Sequence, residues 1–242
     1  MNNIIQSLYD RKSCRSFLER EIPEKEIQEI LCASVQAPTA GNQQLYTIIR
    51  VSDPEKKHRL SISCDHQPFI EKAKLVLVYC ADCLKWYQAF ENAGCNPRRP
   101  EEGDLMLAVC DALIAAQNAV TAAESLGIAS CYIGDIMENA EIQRNILSLP
   151  PYVFPAAMLV FGYPTDQQTR RQKPPRVDMK YIVHHNGYHT LDSEELKEML
   201  QPKYGETGYA EWMNAFCNRK YNSDFAREMS RSVRAYLKDF GY

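Results

Sequence analysis

DLMLAVCDALIAAQNAVTAAESLGIASCYIGD, residues 104–135, is the stretch around which the rest of the chain is organised. It contains neither proline nor glycine before Gly127, and aspartate and glycine are residue types that begin and end helices. The pattern predicts one long helix, capped by Asp104, that leads into a strand over 128–133. Gly134 follows that strand, so bare backbone is expected at its end.

The polar residues of this predicted helix form a narrow stripe in which Asp111, Asn118 and Ser125 recur every seven positions. A helix that is apolar on nearly all other sides is expected to be buried. A membrane span is the alternative, but Gln117 and Glu124 would then lie in hydrocarbon with the stripe, so no membrane is expected. Small side chains leave room for a second helix, from this chain or another subunit, at alanines 108, 112, 115, 116, 119, 122 and 123.

The composition is that of an ordinary globular protein, with 242 residues, 45% hydrophobic and 24% charged. A net charge of −3 gives no overall attraction to nucleic acid. The start, MNNIIQSLYDRKS, lacks a basic segment followed by an apolar run, which favours a cytoplasmic protein.

Nine cysteines are present, an odd number, and Cys32, Cys110 and Cys131 lie in apolar segments. We therefore expect most cysteines to be reduced core residues. Cys80 and Cys83 form a C-x-x-C without a second pair at zinc-site spacing, so no metal site is expected.

Shorter helices are predicted over 2–10, from Pro23 to before Pro38, and over 54–63 and 139–147. Strands are predicted over 46–51, 75–80 and 156–161 in addition to 128–133. The continuous apolar run at 75–80 indicates burial on both faces. No G-x-G-x-x-G opens a helix after a strand, which argues against a Rossmann dinucleotide fold.

Two basic stretches are candidates for an anion site. Near the start, cations and hydroxyls alternate at Arg11, Lys12, Ser13, Arg15 and Ser16. Guanidinium and hydroxyl groups together suit a phosphate or carboxylate, although a solvated loop is the alternative. Later, two prolines hold Lys173 and Arg176 at a fixed separation, which suggests a second phosphate contact.

Two loops could approach a ligand closely. Residues 38–44, PTAGNQQ, combine small residues with a glycine and amides, although a plain connector would be equally compatible. The loop at 92–103 is rich in glycine, proline and arginine and could cover a site.

Taken together, several short blocks resemble the flavin-dependent nitroreductase family in order and spacing along most of the chain. These blocks are Arg11-Lys12-Ser13-x-Arg15-Ser16-Phe17, the 38–44 loop, Ala116-Gln117-Asn118-Ala119, Ala122-Ala123-Glu124-Ser125-Leu126-Gly127, Tyr132-Ile133-Gly134 and Lys173-Pro174-Pro175-Arg176. The ending YLKDFGY, residues 236–242, resembles the branch of NADPH-dependent major nitroreductases and flavin reductases.

The resemblance implies an α+β fold with a mixed central sheet flanked by helices. It further implies a homodimer whose long central helices meet at the interface and whose C-terminal extension wraps the partner. Residues 1–189 would form the FMN-binding domain, and 190–242 would be a helical extension of the same domain.

The resemblance also implies the site residues. The FMN phosphate would be held by Arg11, Lys12, Ser13, Arg15, Lys173 and Arg176. Thr39, Gly41 and Gln67 would contact the ribityl chain or ring, and the backbone of Tyr132, Ile133, Gly134 and Asp135 would line the ring. Arg15 is the candidate for stabilising negative charge at flavin N1 and the C2 carbonyl. Arg219 and Lys220 are candidates for the NADPH 2′-phosphate, although a solvated pair is an equal alternative.

The implied activity transfers hydride from NADPH or NADH through FMN to a small-molecule acceptor such as a nitroaromatic, quinone or flavin, in a ping-pong cycle. Two positions depart from the family pattern, namely Asp135 where a glycine is common and the second proline before Arg176. Two alternatives remain. One is a flavin-binding or redox-sensing protein with slow turnover, which Asp135 supports, and the other is a flavoenzyme specialised for one metabolite.

Overall fold

A computed structural model describes residues 2–241. Met1 and Tyr242, which end the predicted domain ranges and the C-terminal motif, lie outside the described residues. The chain forms two compact units. The first comprises the residues up to Arg171 together with those from Glu228 onward, and the second is Gln172–Arg227.

The first unit contains eight of the described helices and all four strands. The helices are α1 Asn3–Asp10, α2 Glu24–Val35, α3 Pro54–Ser63, α4 Pro68–Lys72, α5 Leu84–Asn92, α6 Glu102–Ser125, α7 Ala140–Leu147 and α8 Asp166–Arg170. The strands are β1 Tyr46–Arg50, β2 Leu75–Asp82, β3 Ala129–Ile133 and β4 Val153–Gly162. The second unit contains α9 Ser193–Tyr204 and α10 Tyr209–Lys220, and α11 Asp224–Leu237 runs from the second unit into the first.

The predicted central helix is α6, whose 24 residues span roughly 36 Å at 1.5 Å per residue. The prediction that Asp104 caps it is wrong, because Glu101 is the N-cap residue. Asp104 lies one turn inside the helix and accepts a hydrogen bond from the Glu101 N–H (2.9 Å). A carboxylate at the third helical position satisfies the same end of the helix by reaching back. Gly127 has a positive φ of 73° just beyond the helix, as predicted.

The sheet has the strand order β1-β2-β4-β3, and every pairing among the described strands is antiparallel. The α+β class is confirmed, whereas the expectation of a mixed sheet is wrong. All eight residues of β2 are buried, as its apolar run indicates. A continuous apolar run indicates that both faces of a strand are buried, but it does not indicate whether the neighbouring strands are parallel or antiparallel.

Helices cover both faces of this sheet. On one face, the Tyr79 hydroxyl of β2 lies 3.1 Å from Ser34 Oγ of α2, which donates to the Ala115 carbonyl of α6 (2.8 Å). The second helix that the alanines of α6 predicted is thus α2 of the same chain. On the opposite face, Phe154 of β4 packs edge-on against Tyr236 of α11, with ring centroids 5.1 Å apart.

Within the single chain, the prediction that α6 is buried nearly all round is confirmed except on one face. Met106, Leu107, Leu113 and Ile114 are each at least 40% exposed, while the alanines and Asp111 face the interior. By length and composition alone, α6 is the one helix among the described residues that could cross a membrane. Its buried polar residue and its packing on α2 identify it as a core helix of this unit.

The expectation of mostly buried, reduced cysteines is confirmed only in part. All nine are free, and Cys131 is buried in β3. Cys32 and Cys110 are exposed, contrary to the prediction, because each faces away from the contact between α2 and α6. Apolar neighbours in the sequence therefore do not place a cysteine in the core when a helix covers the sheet with one face only.

Candidate functional site

The first basic block runs directly after α1 and is fixed to two strands. The Cys14 N–H donates to the Ser130 carbonyl (2.9 Å), and the Leu18 N–H donates to the Tyr163 carbonyl (2.8 Å). Phe17 lies so close to Gly162 that a Cβ atom there would be 2.7 Å from its ring. The glycine at the end of β4 thus allows the block to pack flat against the sheet.

Lys12 and Arg171 clamp this block to α8. Lys12 Nζ donates to the carbonyls of Thr169 (2.7 Å) and Arg171 (2.5 Å), and Arg171 Nη2 donates to the Ser13 carbonyl (2.5 Å). An ammonium has three N–H donors, so Lys12 has one left for a ligand. Sequence reasoning did not select Arg171, although it lies in the second basic stretch.

Arg11 and Arg15 lie near β3, where the charges of both guanidinium groups act on Cys131. Burial raises the pKa of the Cys131 thiol, and the two cations oppose this rise. Arg11 Nε is buried and has no hydrogen-bond partner among the described residues. A buried guanidinium N–H without an acceptor is costly, so this atom is suited to an anionic ligand. Arg15 lies over the ring of Phe69, 6.0 Å from its centroid.

The end of β3 offers backbone groups to the same region. Among the described strands β3 pairs with β4 only, and on its other edge the Ser130 carbonyl accepts the hydrogen bond from the Cys14 N–H. Ile133 is 2% exposed and points into the core, so only its backbone could contact a ligand. Burial raises the pKa of Tyr132 to about 12. A Cβ atom on Gly134 would meet nothing nearer than Met137 Cε at 3.9 Å, which leaves space above the backbone.

Gln67 precedes α4 and joins this strand end. Its side-chain amide donates to the Cys64 carbonyl (2.8 Å) and to Asp135 Oδ2 (2.9 Å). Both amide protons are used, so Gln67 Oε1 remains free to accept a hydrogen bond. The contact also orients the Asp135 carboxylate at the position that departs from the family pattern.

Glu138 is a further acidic residue beside Asp135 that sequence reasoning missed. It is 5% exposed, and its Oε1 has no hydrogen-bond partner among the described residues. Burial, and then the neighbouring charges of Asp135, Asp65 and Glu228, raise the pKa of Glu138 to about 7. No sequence pattern distinguished it, because its neighbours come from three separate segments of the chain.

The 38–44 loop is fixed to α6 by the buried Asp111, which is 3% exposed. Its carboxylate accepts hydrogen bonds from the Thr39 hydroxyl, the Ala40 N–H (3.0 Å) and the Leu45 N–H (3.2 Å). The Thr39 hydroxyl is therefore committed to the loop itself. The loop turns through Gly41 with a positive φ of 56°, which suits glycine.

The remaining predicted site residues lie in the second unit. Arg176 Nη1 donates to the Pro174 carbonyl (3.4 Å). Arg219 and Lys220 end α10, and Arg219 lies 5.3 Å from the ring centroid of Phe216. Phe216 in turn stacks on Trp212 at 4.8 Å and 14°. Lys173 belongs to the same unit.

Comparison with known proteins identifies the family of this chain. The model of the family described as "Nitroreductase family" matches residues 8–163, more than half of the chain. The chain belongs to the nitroreductase family. The matched residues include the first basic block, the 38–44 loop, Gln67 and the whole of β3.

Similar proteins align with most or all of this chain. A Bacillus subtilis protein named "FMN reductase [NAD(P)H]" is 32% identical and aligns with 100% of this chain and 94% of its own. A Salmonella typhimurium "Oxygen-insensitive NADPH nitroreductase" is 31% identical over 85% of this chain and 81% of its own. The solved structure of B. megaterium NfrA2 has a TM-score of 0.85 and 29% identity, covering 100% and 98% of the two chains. The predicted family and nitroreductase-like fold are confirmed.

Proposed function

We propose that this nitroreductase is an FMN-dependent oxidoreductase that transfers hydride from NADPH or NADH to a small-molecule acceptor. The observation that carries the proposal is the buried Arg11 Nε, which finds no acceptor among residues 2–241 and lies in a cluster with Ser13 and Arg15. The names of the relatives, which include FMN reductase and NADPH nitroreductase, agree with the predicted enzyme class and cofactors.

The first basic block fits the phosphate of FMN. Arg11 would supply a planar pair of N–H donors, Lys12 its third ammonium proton and Ser13 its hydroxyl. Arg171 would act indirectly, because its bond to the Ser13 carbonyl fixes the block. Lys173 and Arg176 are proposed as a further set of phosphate contacts.

We propose that the ring lies at the end of β3, beside Gly134. Gln67 Oε1 can accept a hydrogen bond from a ring N–H, and the backbone of residues 132–135 can approach a flat surface because Gly134 has no side chain. Thr39 and Gly41 are proposed to contact the cofactor through backbone groups, since the Thr39 hydroxyl is bound to Asp111.

FMN, when bound, accepts hydride from a nicotinamide and passes two electrons to an acceptor. Arg15 is proposed to stabilise the negative charge that reduction places toward N1 and the C2 carbonyl, because a fixed guanidinium needs no reorganisation there. No side-chain nucleophile is required, so a ping-pong exchange of donor and acceptor at one site is the simplest kinetic scheme. Nitroaromatics, quinones and free flavins are the proposed acceptors.

A second candidate function is a flavin-binding or redox-sensing protein with slow turnover. Asp135 and Glu138 place two carboxyl groups beside the proposed ring site, where they oppose further negative charge. Steady-state turnover with NADPH and a quinone separates the two candidates. Turnover of at least about one per second is within the ordinary range of enzymes. A rate orders of magnitude lower would favour the sensor.

Preference for NADPH is proposed to come from α10. Trp212, Phe216 and Arg219 form a continuous stack of two rings and a guanidinium. Such a stack suits an adenine ring with a phosphate beside it. In Arg219→Ala, the KM for NADPH should rise while that for NADH stays constant. An unchanged ratio of the two KM values would exclude Arg219.

The protein is also proposed to be a cytoplasmic homodimer. The outer face of α6, with Met106 and Leu113, and that of α1, with Ile4 and Leu8, are apolar and exposed. A second copy of this chain would bury both faces, and the C-terminal extension is proposed to wrap it. Light scattering during gel filtration should give twice 27.8 kDa. The variant Leu113→Glu should shift that mass toward the monomer.

The direct test of the phosphate site is the affinity for FMN in Arg11→Ala. Loss of a charge-assisted hydrogen bond, worth roughly 1.5 to 3 kcal/mol, should weaken binding by about 10- to 150-fold. Arg170→Ala is the matched control, because the Arg170 side chain is 84% exposed. The Arg15→Ala variant should retain FMN at saturating concentration yet be reduced slowly. Equal affinities of Arg11→Ala and Arg170→Ala would contradict the assignment.

A further inference from the structure

A cavity of about 440 Å³ lies beside α5, apart from the residues assigned to the cofactor. One wall consists of the neighbouring rings of Trp86 and Phe90 from α5, and Leu45 and Leu107 also line the cavity. Pro97 of the 92–103 loop also lines it. Concave, mostly apolar cavities of this volume with a few polar groups are typical of small-molecule sites.

The aromatic wall has a fixed geometry. Trp86 Nε1 donates to the Gln43 carbonyl (2.6 Å), which holds the indole ring in one orientation. The ring centroids of Trp86 and Phe90 are 5.7 Å apart at 43°. Tyr87, which also lines the cavity, is held 6.0 Å from the ring of Tyr152. A preorganised aromatic surface of this kind favours a flat ring system as a ligand.

The charges at the cavity cancel each other. Arg98 Nη1 and Nη2 lie 2.6 and 3.0 Å from the two carboxylate oxygens of Asp104, and the guanidinium holds the pKa of that carboxyl below its usual range. This pair leaves no net charge to attract an ionic ligand. Asn96 also lines the cavity, and its side chain forms no hydrogen bond among the described residues, so its amide can bind a polar substituent.

We infer that this cavity is a binding site for a neutral, planar aromatic molecule of about two or three fused rings that carries a hydrogen-bonding substituent. The aromatic wall selects flatness, the neutral Arg98–Asp104 pair selects against charge, and Asn96 recognises the substituent. Gln43 belongs to both the cavity and the 38–44 loop, so a bound ligand contacts a segment fixed to α6. The cavity is built without the first basic block, but Leu107 belongs to the outer face of α6, so the inference rests on the proposed homodimer in that one respect.

The test uses the two tryptophans of the chain. In a Trp212→Phe background, Trp86 is the only indole and lies in the cavity wall. Titration of the purified protein with 1-nitronaphthalene, a neutral aromatic quencher, should quench Trp86 fluorescence to saturation at one site. Added Phe90→Ala should weaken that binding about three- to tenfold, because one ring of the wall is lost. Ile62→Ala, an exposed apolar residue of α3 outside the cavity, should leave it unchanged.

Two further measurements decide the location and the charge preference. Saturating FMN should leave the quenching in place, and naphthalene-1-sulfonate should fail to displace the probe. The inference would be overturned if the quenching by 1-nitronaphthalene did not saturate or if FMN displaced this probe. It would also be overturned if the Phe90→Ala and Ile62→Ala proteins bound the probe with equal affinity. Phe90 is 39% exposed, so its truncation spares the core, and an unchanged melting temperature verifies the fold.

Discussion

Replacing Asp111 by asparagine should loosen the 38–44 loop without changing the volume of the side chain. The aspartate accepts three hydrogen bonds, two at Oδ2 from Thr39 and Leu45 and one at Oδ1 from the Ala40 N–H. Asparagine has a single acceptor oxygen. Whichever way the amide turns, at least one buried donor loses its partner and faces an N–H₂ group instead.

The cost can be worked out from those contacts. Hydrogen bonds to charged groups contribute about 1.5 to 3 kcal/mol each, so Asp111→Asn should lower the free energy of unfolding by at least that amount. For a chain of this size the melting temperature should fall by roughly 3 to 12 °C. If the loop also contacts FMN, as proposed, the affinity for FMN should fall in the same variant.

The assay is urea unfolding followed by circular dichroism, with Asp166→Asn as the control. The Asp166 side chain is 94% exposed in α8, so that control should stay within about 0.5 kcal/mol of the native protein. If Asp111→Asn also stays within that margin, the carboxylate does not hold the loop and the account of this segment is refuted.

Two other predictions concern single residues of the first unit. The pKa of Glu138 is raised from its ordinary value near 4.5 to about 7. This shift does not lower the free energy of unfolding below pH 4.5, where the side chain is protonated in both states, and it lowers it most above pH 7, where the side chain is charged in both states. The free energy of unfolding of Glu138→Gln, measured with urea relative to the native protein, should therefore increase by up to about 3 kcal/mol between pH 5 and pH 8. A difference between the two proteins that is constant with pH would contradict this. Gly162→Ala should destabilise the fold by about 1 to 3 kcal/mol, because the new methyl group would lie 2.7 Å from the Phe17 ring. Gly187→Ala is the control, because the added methyl group there meets nothing within 4 Å. Equal melting temperatures of the two variants would contradict the prediction and show that Phe17 moves freely.

The sequence predicted those elements whose signals are local. The helical spacing of apolar residues located α2, and continuous apolar runs located β2 and β4. Helix α4, only five residues long, and α5, which has nine residues, were missed. The apolar pattern also could not predict whether the strands are parallel or antiparallel, because that depends on the path of the connections between them.

The candidate site was predictable to the extent that its residues are consecutive. The first basic block and the strand end at Gly134 could be selected from composition and from the family resemblance. The roles of three other residues could not be predicted. Arg171 and Asp111 each bind a segment more than 50 residues away in the sequence, and the pKa of Glu138 depends on several segments. Lys12 was selected as part of the block, and the structure shows that two of its donors bind backbone carbonyls.

The measurement that tests the central proposal most directly is the visible spectrum of the purified protein before and after anaerobic addition of NADPH, with the released cofactor identified by mass. The proposed function predicts a yellow protein that carries FMN, loses its absorbance near 450 nm on addition of NADPH, and regains it when a quinone is added. A colourless protein that does not take up FMN would contradict the proposal. A yellow protein that neither NADPH nor NADH bleaches would instead favour the flavin-binding alternative.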